Sequence, residues 1–335
     1  MRRVLVTGAG GFIGRELVSS LARSGYSGVA TGRQPPETVP PGWEAARREN
    51  VLDGSHPIEA IDVIVHLEVK HHVLRADADT LSEMHAVNVG GTNAWLDWAS
   101  ARNIGRFVFT SSVKAVRAGV AETFETAAPE ALDAYGRSKA IAEAAVRGWA
   151  EAVAGRAAVI LRLAPVYGPG NTANLASFAR QVLRGRPCFV GAGATRKSVV
   201  SLRNAVAAIE WSLKNCTPGC DVFNVSDRTA RSIAELANLI ATAARAPRPR
   251  GIPIMIARLG AVAGDVAESI LRRPAILDSR RLAAMLETTV FPPDKLLARG
   301  FVHPQETENG IAELVAWLTE SSSPPSPGEE LQVGT

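Results

Sequence analysis

The sequence predicts an α/β fold, with a doubly wound parallel sheet in the first half of the chain and a smaller α+β lobe after it. Short β-branched apolar runs alternate with helical patterns up to about residue 170. Such alternation indicates a parallel sheet, because each crossover between parallel strands needs a connecting helix. The 335 residues are 46% hydrophobic and 21% charged, which supplies a full core and excludes a disordered chain.

The elements of the first half follow in order. The strand RRVLVT leads into the helix FIGRELVSSLARSG, which ends at Gly25, and the strand SGVAT comes next. A weaker strand around WEAARRE precedes the strand IDVIVHL and a long helical stretch from about Ala78 to Asn103. The strand RFVFTSS, a helix over about 133–153 and the strand AAVILRL complete the series.

The pattern loosens after about residue 170. Helices are expected near 174–184, 203–214 and 231–245, with short strands near PCFV, KSVVS and DVFNV. A helical region follows the turn APRPRG, and TENGIAELVAWLTE forms the last helix. We expect a first domain over 1–170, a second lobe mainly over 171–320, with the chain free to cross back, and a disordered tail over 321–335.

Charge and cysteine content restrict the class of protein. The net charge is +4 and the basic residues are scattered, which gives little support for nucleic-acid binding but suits a phosphate-bearing ligand. Cys188, Cys216 and Cys220 form no CxxC pair, as is typical of a reducing compartment. Arg258 and Asp265 interrupt the most apolar stretch, GIPIMIARLGAVAGDVAESIL. We therefore expect a cytoplasmic protein with no nucleic-acid partner and no membrane partner.

A glycine loop, VTGAGGFIG, stands between the first strand and the first helix. Gly8, Gly11 and Gly14 have GxxGxxG spacing. Backbone without Cβ lets a pyrophosphate approach the free N–H groups of the helix N terminus, and Gly14 allows close packing of the helix on the sheet. A tight structural turn is the alternative. The position of the loop favours a Rossmann-type dinucleotide site.

The end of the second strand bears on the choice of dinucleotide. NAD-binding sheets usually carry an acid there for the ribose 2′-OH, whereas this strand ends ATGRQ, with Arg33 after Gly32. An arginine can pair with a 2′-phosphate, so Arg33 favours NADP over NAD. A solvated arginine at a strand end is the alternative, and the cofactor is left as NAD or NADP.

Tyr135 and Lys139 form the candidate catalytic pair. They stand at i, i+4 in DAYGRSKAIAE, which places both side chains on one face of a helix. A lysine ammonium beside a phenol is expected to lower the phenol pKa towards a value useful for acid–base catalysis. The strand RFVFTSS ends in Ser111 and Ser112, at the edge where open parallel sheets bind ligands.

These motifs together resemble the extended short-chain dehydrogenase/reductases, which include NAD(P)-dependent nucleotide-sugar epimerases, dehydratases and reductases. TGAGGFIG, HL (66–67), NVGGT (88–92), RFVFTSS, YGRSK and VYGPG (166–170) occur in family order and cover about residues 2–320. The resemblance implies that Tyr135 is the general acid/base, that Lys139 also binds the nicotinamide ribose, and that Ser112 positions the reacting oxygen. The cofactor-binding positions it implies, together with Arg33 from the argument above, are Gly8, Gly11, Phe12, Ile13, Gly14, Arg33, Asn50, Val51, Leu67, Glu68, Ser111, Tyr135, Lys139 and Pro165, with Asn50 and Val51 beside the adenine.

A narrower resemblance concerns the substrate. TSSVKA, DAYGRSK, YGPGNTANLASF and TRKSVVSLRNAVAAI are similar to bacterial enzymes that act at C4 of UDP-sugars, both 4-epimerases and 4-keto reductases of quinovosamine type. It implies that Asn174 and Arg196 bind the diphosphate side of the substrate; Arg196 suits bidentate phosphate contact, while Asn174 could instead cap the helix that follows. Glu68 and Arg203 depart from the family pattern, which leaves the sugar open.

The expected reaction is hydride transfer at C4, with epimerisation and reduction both left open. The alternatives are a non-catalytic dinucleotide-binding regulator or scaffold, and a reductase of a non-sugar carbonyl or hydroxyl. The family resemblance also implies a homodimer formed through two helices. Trp95, Leu96, Ile141 and Val146 are consistent with that interface, although ordinary core packing explains them equally well.

The segment IDVIVHLEVKHH collects ligand-type residues, His66, Glu68, His71 and His72. A metal site would require several of them to converge with fixed geometry, and hydride chemistry needs no metal. We expect His66 to be packed inside the protein and the segment to form the rim of the cofactor site. Glu68 would be repelled by phosphate unless it pairs with Lys70 or a ribose hydroxyl, so Glu68 is expected to alter cofactor affinity without being essential.

Overall fold

A computed structural model describes residues 2–70, 78–119, 121–173, 175–271 and 277–320. The strands are β1 (Arg3–Thr7), β2 (Ser27–Gly32), β3 (Trp43–Arg47), β4 (Val63–His66), β5 (Arg106–Ser112), β6 (Ala157–Leu163), β7 (Val166–Tyr167), β8 (Phe189–Val190), β9 (Arg196–Lys197), β10 (Val200–Ser201), β11 (Gly219–Val225), β12 (Arg231–Ser232) and β13 (Gly251–Ile252). The α-helices are α1 (Phe12–Arg23), α2 (Arg48–Leu52), α3 (Ala78–His85), α4 (Gly91–Ala101), α5 (Ala134–Glu151), α6 (Leu175–Leu183), α7 (Leu202–Asn215), α8 (Ile233–Ala243), α9 (Ile254–Leu271), α10 (Ser279–Leu286), α11 (Asp294–Ala298) and α12 (Thr307–Glu320).

The main sheet has seven strands in the order β11-β6-β5-β4-β1-β2-β3, and every neighbouring pair is parallel. The order reverses between β1 and β4, which is where doubly wound sheets open a ligand crevice at the carboxyl ends of their strands. The predicted α/β class is confirmed. DVFNV was expected among the short strands of the second half. It instead belongs to β11, which pairs with β6 along seven residues.

Both faces of the sheet are covered, as an all-parallel sheet requires. One core contains Leu17 and Leu21 of α1 with Ile209 of α7, and the other contains Trp95 of α4 and Trp149 of α5. All seven residues of β6 are buried, which explains its almost continuous apolar sequence. The two covered faces leave the strand ends as the available edges for a ligand.

The long helix expected over 78–103 is three elements. A five-residue π-helical segment, Ala86–Gly90, separates α3 from α4. Such segments are rare and often occur at functional sites. Here it carries Asn88, whose side chain is buried and fully used in hydrogen bonds described below.

The chain forms two compact units. The first comprises the described residues within Met1–Val166, Lys197–Ala230 and Thr288–Glu306, and the second those within Tyr167–Arg196, Arg231–Glu287 and Thr307–Thr335. The segment 288–306 is held in the first unit by buried hydrogen bonds. Ser226 Oγ donates to Phe291 O at 2.8 Å, and Asn204 Nδ2 donates to Gln305 O at 2.9 Å.

In the second unit, α6, α8 and α12 pack together, and a smaller apolar cluster joins α9 to α10. Ser232 and Glu235 form a reciprocal capping box at the start of α8. Within the described residues, none of the helices combines the length and the apolar character that a membrane crossing needs.

Candidate active site

The predicted cofactor and catalytic residues of the first unit collect at the carboxyl edge of the sheet. The glycine loop follows β1, Arg33 follows β2, Asn50 and Val51 lie in α2 just after β3, Leu67 and Glu68 follow β4, Ser111 and Ser112 end β5, and Pro165 follows β6. Tyr135 and Lys139 lie on α5, the helix after β5. One edge of one sheet therefore presents these residues together, on the side where open α/β sheets bind ligands.

The glycine loop is shaped for close backbone approach. Gly8 has φ +67°, and a Cβ there would lie 2.8 Å from the Glu68 nitrogen. A Cβ on Gly14 would lie 2.6 Å from Ala9 Cα. We had expected Gly14 to allow close packing on the sheet, but its close neighbour is the glycine loop itself. No side chain of the described residues caps the N terminus of α1, and Gly11 at its start is exposed. The free N–H groups of this turn fit a pyrophosphate.

Arg33 is not simply solvated at its strand end. Its guanidinium lies 3.8 Å from Glu83 Oε1 of α3, and Lys70 Nζ lies 2.7 Å from Glu83 Oε2. Lys70, by hydrogen bond and by charge, lowers the pKa of the Glu83 carboxyl. One carboxylate thus pairs closely with Lys70 and more loosely with Arg33 beside the end of β2, where a ribose 2′-phosphate would compete with it for both cations. Glu83 has no motif to mark it, and the sequence analysis missed it.

Glu68 is buried at 6% exposure, directly beyond β4 and against the glycine loop. Its Oε1 lies 3.5 Å from Arg48 Nη1, and its Oε2 has no hydrogen-bond partner among the described residues. Its pairing partner is thus Arg48, not the Lys70 that we expected, because Lys70 pairs with Glu83. A buried carboxylate oxygen without a donor costs free energy, so this atom is available to a ribose hydroxyl of a bound dinucleotide.

His66 is a structural residue. Its side chain is fully buried, as expected, and stacks on Phe109. Thr92 Oγ1 donates to Asn88 O at 2.7 Å, so it must accept from His66 Nε2 at 3.1 Å. His66 Nδ1 then accepts from Thr7 Oγ1 at 2.6 Å.

Burial lowers the His66 pKa well below its ordinary value, and the charges of Lys139 and Arg48 add to this. Both ring nitrogens are therefore occupied in the neutral form. Across the described residues, no three ligand-type side chains gather as a metal site would require, and His71 and His72 lie outside those residues.

Asn88 of the π-helical segment connects the exit of β4 to the catalytic helix. It accepts from Lys70 N at 2.7 Å and donates to Lys70 O at 3.1 Å and to Ser138 Oγ at 2.9 Å. Ser138 in turn donates to Tyr135 O at 2.8 Å. The first turn of α5 is thereby fixed relative to the cofactor side of the sheet.

Asp133 begins α5 by accepting from Gly136 N at 2.7 Å, and it pairs with Lys114 at 2.9 Å. Tyr135 follows in the first turn. Burial raises the pKa of Tyr135 to about 12, a hydrogen bond with Ser112 acts in the opposite direction, and the charge of Asp133 raises it further. The lowering by Lys139 that the sequence suggested is not what the structure shows, because burial of the phenol outweighs any favourable charge.

Lys139 is buried at 2% exposure, with Nζ 4.1 Å from the centre of the Phe109 ring. Burial lowers the pKa of Lys139 to about 7, while the nearby carboxylate of Glu143 acts to raise it. The lysine therefore exchanges its proton near neutral pH. An amine of that kind is suited to take part in proton movement beside Tyr135.

A buried ion pair that the sequence analysis missed supports this helix. Arg162 of β6 contacts Glu143 of α5 through Nε at 3.0 Å and Nη2 at 2.7 Å, and both side chains are almost fully buried. Ser111 Oγ donates to the same carboxylate at 2.5 Å, so its hydroxyl is used within the protein. The signal was present in AAVILRL, because an arginine inside a buried strand must have a partner.

Of the three predicted substrate residues, Ser112 ends β5 in the first unit. Arg196 is an exposed residue of β9 in the second unit, and its charge contributes to lowering the pKa of Glu235. Asn174 lies outside the described residues. Of the side chains considered for a dimer interface, Trp95, Leu96 and Val146 are core residues, and Ile141 is exposed.

Comparison with known proteins identifies the family. Residues 4–226 match the family model described as the NAD dependent epimerase/dehydratase family. The chain belongs to this family. The resemblance found in the motifs is thus confirmed, and the chain is an enzyme of that family. It is 31% identical to a UDP-glucose 4-epimerase of Vibrio cholerae over 255 aligned residues. The aligned region covers 73% of this chain and 77% of that protein.

Two further relatives extend the comparison. An N-acetyl-alpha-D-glucosaminyl-diphospho-ditrans,octacis-undecaprenol 4-epimerase of Escherichia coli O157:H7 is 27% identical over 312 residues, 92% of each chain. The structure of a UDP-glucose 4-epimerase from Thermotoga maritima with UDP-glucose superposes with a TM-score of 0.73 at 20% identity, over 96% of this chain and all of that one. The structural likeness supports the fold assignment.

Proposed function

We propose that this protein transfers hydride at C4 of a sugar bound through a diphosphate to a nucleotide, with Tyr135 as the acid/base. The observation that carries the proposal is that one sheet edge presents the uncapped N terminus of α1 together with Ser112, Tyr135 and the buried Lys139. The relatives that act at C4 of diphosphate-linked sugars support the same position on the sugar.

Each residue has a distinct role in this reaction. Ser112 hydrogen-bonds the sugar oxygen, and the Tyr135 phenol gives or takes the proton of that oxygen. Lys139, one helical turn from Tyr135, stabilises negative charge on the phenol in its protonated form, which a pKa of about 7 leaves populated at neutral pH. The Glu143–Arg162 pair and the Asn88 hydrogen bonds hold α5 in place. A bound nicotinamide dinucleotide would supply the hydride chemistry.

The residues present fit such a dinucleotide. Gly8, Gly11 and the uncapped turn of α1 would hold its pyrophosphate. A ribose hydroxyl would give Glu68 Oε2 the hydrogen-bond partner that the described part of the chain does not provide. Arg33 is the residue that would favour a 2′-phosphate, but Glu83 pairs with it. We propose that the enzyme uses NAD, because Glu83 would compete with a 2′-phosphate for Arg33.

Two incubations distinguish the reactions. A 4-reductase consumes NADPH or NADH when given a UDP-4-keto-6-deoxy-N-acetylhexosamine, whereas an epimerase interconverts UDP-hexoses with no net cofactor consumption. A Tyr135→Phe variant should retain dinucleotide binding and lose turnover by about 10²- to 10⁴-fold. Undiminished turnover in Tyr135→Phe would remove Tyr135 as the acid/base, and no turnover of the wild type on any such sugar would favour the non-catalytic alternative.

A second candidate substrate is a sugar joined through diphosphate to a polyprenol. The undecaprenol-linked relative favours it, because it matches 92% of this chain and is itself matched over 92% of its length. The same reaction at C4 applies. Comparing UDP-N-acetylglucosamine with its undecaprenyl diphosphate counterpart at equal concentration, in detergent, measures the preference by kcat/KM.

A further inference from the structure

Helix α9 of the second unit carries an apolar stripe on its outer side. Ala257 and Ala261 are buried against the cluster that contains Val190 and Leu282. The stripe lies on the opposite side of the helix, at i, i+4, i+7 and i+11 spacing. Its members are 54–70% exposed: Met255, Leu259, Val262 and Val266.

The rest of α9 is also poor in charge. Of its two acids, Asp265 accepts from Ser279 N and Oγ, at 3.1 and 2.5 Å, and Glu268 lies 3.7 Å from Arg280. Both carboxylates thus contact the start of α10. A helix that is apolar on nearly every side is normally covered, and an exposed apolar surface of this kind marks an interaction site.

The charged residues just before the stripe and within its first half are all positive. Between Glu235 and Asp265 the sequence contains four arginines and no acidic residue. These arginines are exposed and form no ion pair with the residues that the structure describes: Arg245, Arg248, Arg250 and Arg258. Arg250 stands just before α9, and Arg258 flanks the stripe within it. Unpaired cations beside an apolar helix face complement an anionic lipid surface.

We propose that α9 lies on the surface of an anionic membrane, with the stripe in the boundary between headgroups and acyl chains and the arginines against lipid phosphates. The helix lies on the bilayer and does not cross it, because α9 is not both long and apolar enough to span a membrane. The expectation of no membrane partner rested on the absence of a spanning segment, which an interfacial helix does not need. The proposal is independent of which reaction the first unit catalyses.

Vesicle flotation tests the proposal with the full chain. Wild-type protein should float with vesicles of phosphatidylglycerol and phosphatidylcholine, and less with phosphatidylcholine alone. Leu259→Gln/Val262→Gln should reduce the partition coefficient about tenfold or more, because two apolar side chains no longer enter the lipid. Val302→Gln, which alters a 73% exposed valine of the first unit, is the matched control and should float like the wild type.

A second variant tests the charges without touching the apolar stripe. Arg248→Gln/Arg250→Gln should weaken binding to anionic vesicles about fivefold for each arginine and leave binding to neutral vesicles unchanged. Failure of the wild type to float would overturn the proposal. So would self-association of the wild type, measured by light scattering, that Leu259→Gln/Val262→Gln abolishes while flotation persists; the stripe would then be an interface between copies of this chain.

Discussion

Replacing Arg162 by methionine removes the guanidinium that holds the Glu143 carboxylate inside the protein. Glu143 would keep only the hydrogen bond from Ser111, at 2.5 Å, and lose contacts from Arg162 at 2.7 and 3.0 Å. Both partners are about 5% exposed, so water cannot replace the lost donors. Leaving one buried charge unpaired costs about 3–5 kcal/mol. We expect the free energy of unfolding to fall by that amount.

The double variant Glu143→Leu/Arg162→Met separates the cost of an unpaired charge from the value of the pair. It removes both charges, and the remaining losses are the hydrogen bonds of Ser111 and of Glu125 O, the latter 3.2 Å from Arg162 Nη1. We expect a net loss of about 1–2 kcal/mol. Urea denaturation followed by circular dichroism measures all three proteins. A double variant no more stable than Arg162→Met would refute the reasoning.

Three further predictions concern charged groups of the site. Burial lowers the pKa of Lys139 to about 7 in the folded chain, whereas the pKa of an unfolded lysine is about 10.4, so the unfolded state binds more protons between these values. The free energy of unfolding should therefore rise from about pH 7 towards pH 10, by at most about 1.4 kcal/mol per pH unit, and Lys139→Met should remove this rise in urea titrations at several pH values. A Lys139→Met profile parallel to that of the wild type would contradict it. Glu83→Gln frees Arg33 and Lys70 and should lower the Kd for NADPH more than that for NADH in fluorescence titrations; an equal change for both would argue against the role of Glu83. Glu68→Ala should change the Kd for the dinucleotide while turnover persists, and an unchanged Kd would refute a contact with the cofactor.

The strands of the first half could be predicted because each is a short buried run bounded by turn signals. The helix α2 could not, since five residues, RENVL, carry too little periodicity. The π-helical segment around Asn88 was also invisible, because one extra residue per turn leaves the apolar pattern of 78–103 nearly unchanged. The place of β11 depends on a partner some sixty residues earlier in the chain, β6, which local patterns do not encode.

The motif residues Ser112, Tyr135 and Lys139 could be placed by their spacing, and they lie at the predicted sheet edge. Their electrostatics could not, because a pKa depends on burial that only the folded chain defines. Glu83 was missed for another reason. It acts through cations brought to it by the fold, and nothing in its own segment indicates a ligand.

The most direct test of hydride transfer at C4 uses a UDP-sugar deuterated at C4, with the product followed by NMR and mass spectrometry. The account predicts that deuterium never enters the water: it stays at C4 of an inverted sugar, or it leaves C4 only with the nicotinamide cofactor. The Tyr135→Phe variant should give the same distribution at a greatly reduced rate. Deuterium released into solvent, or conversion at another carbon with C4 untouched, would contradict it.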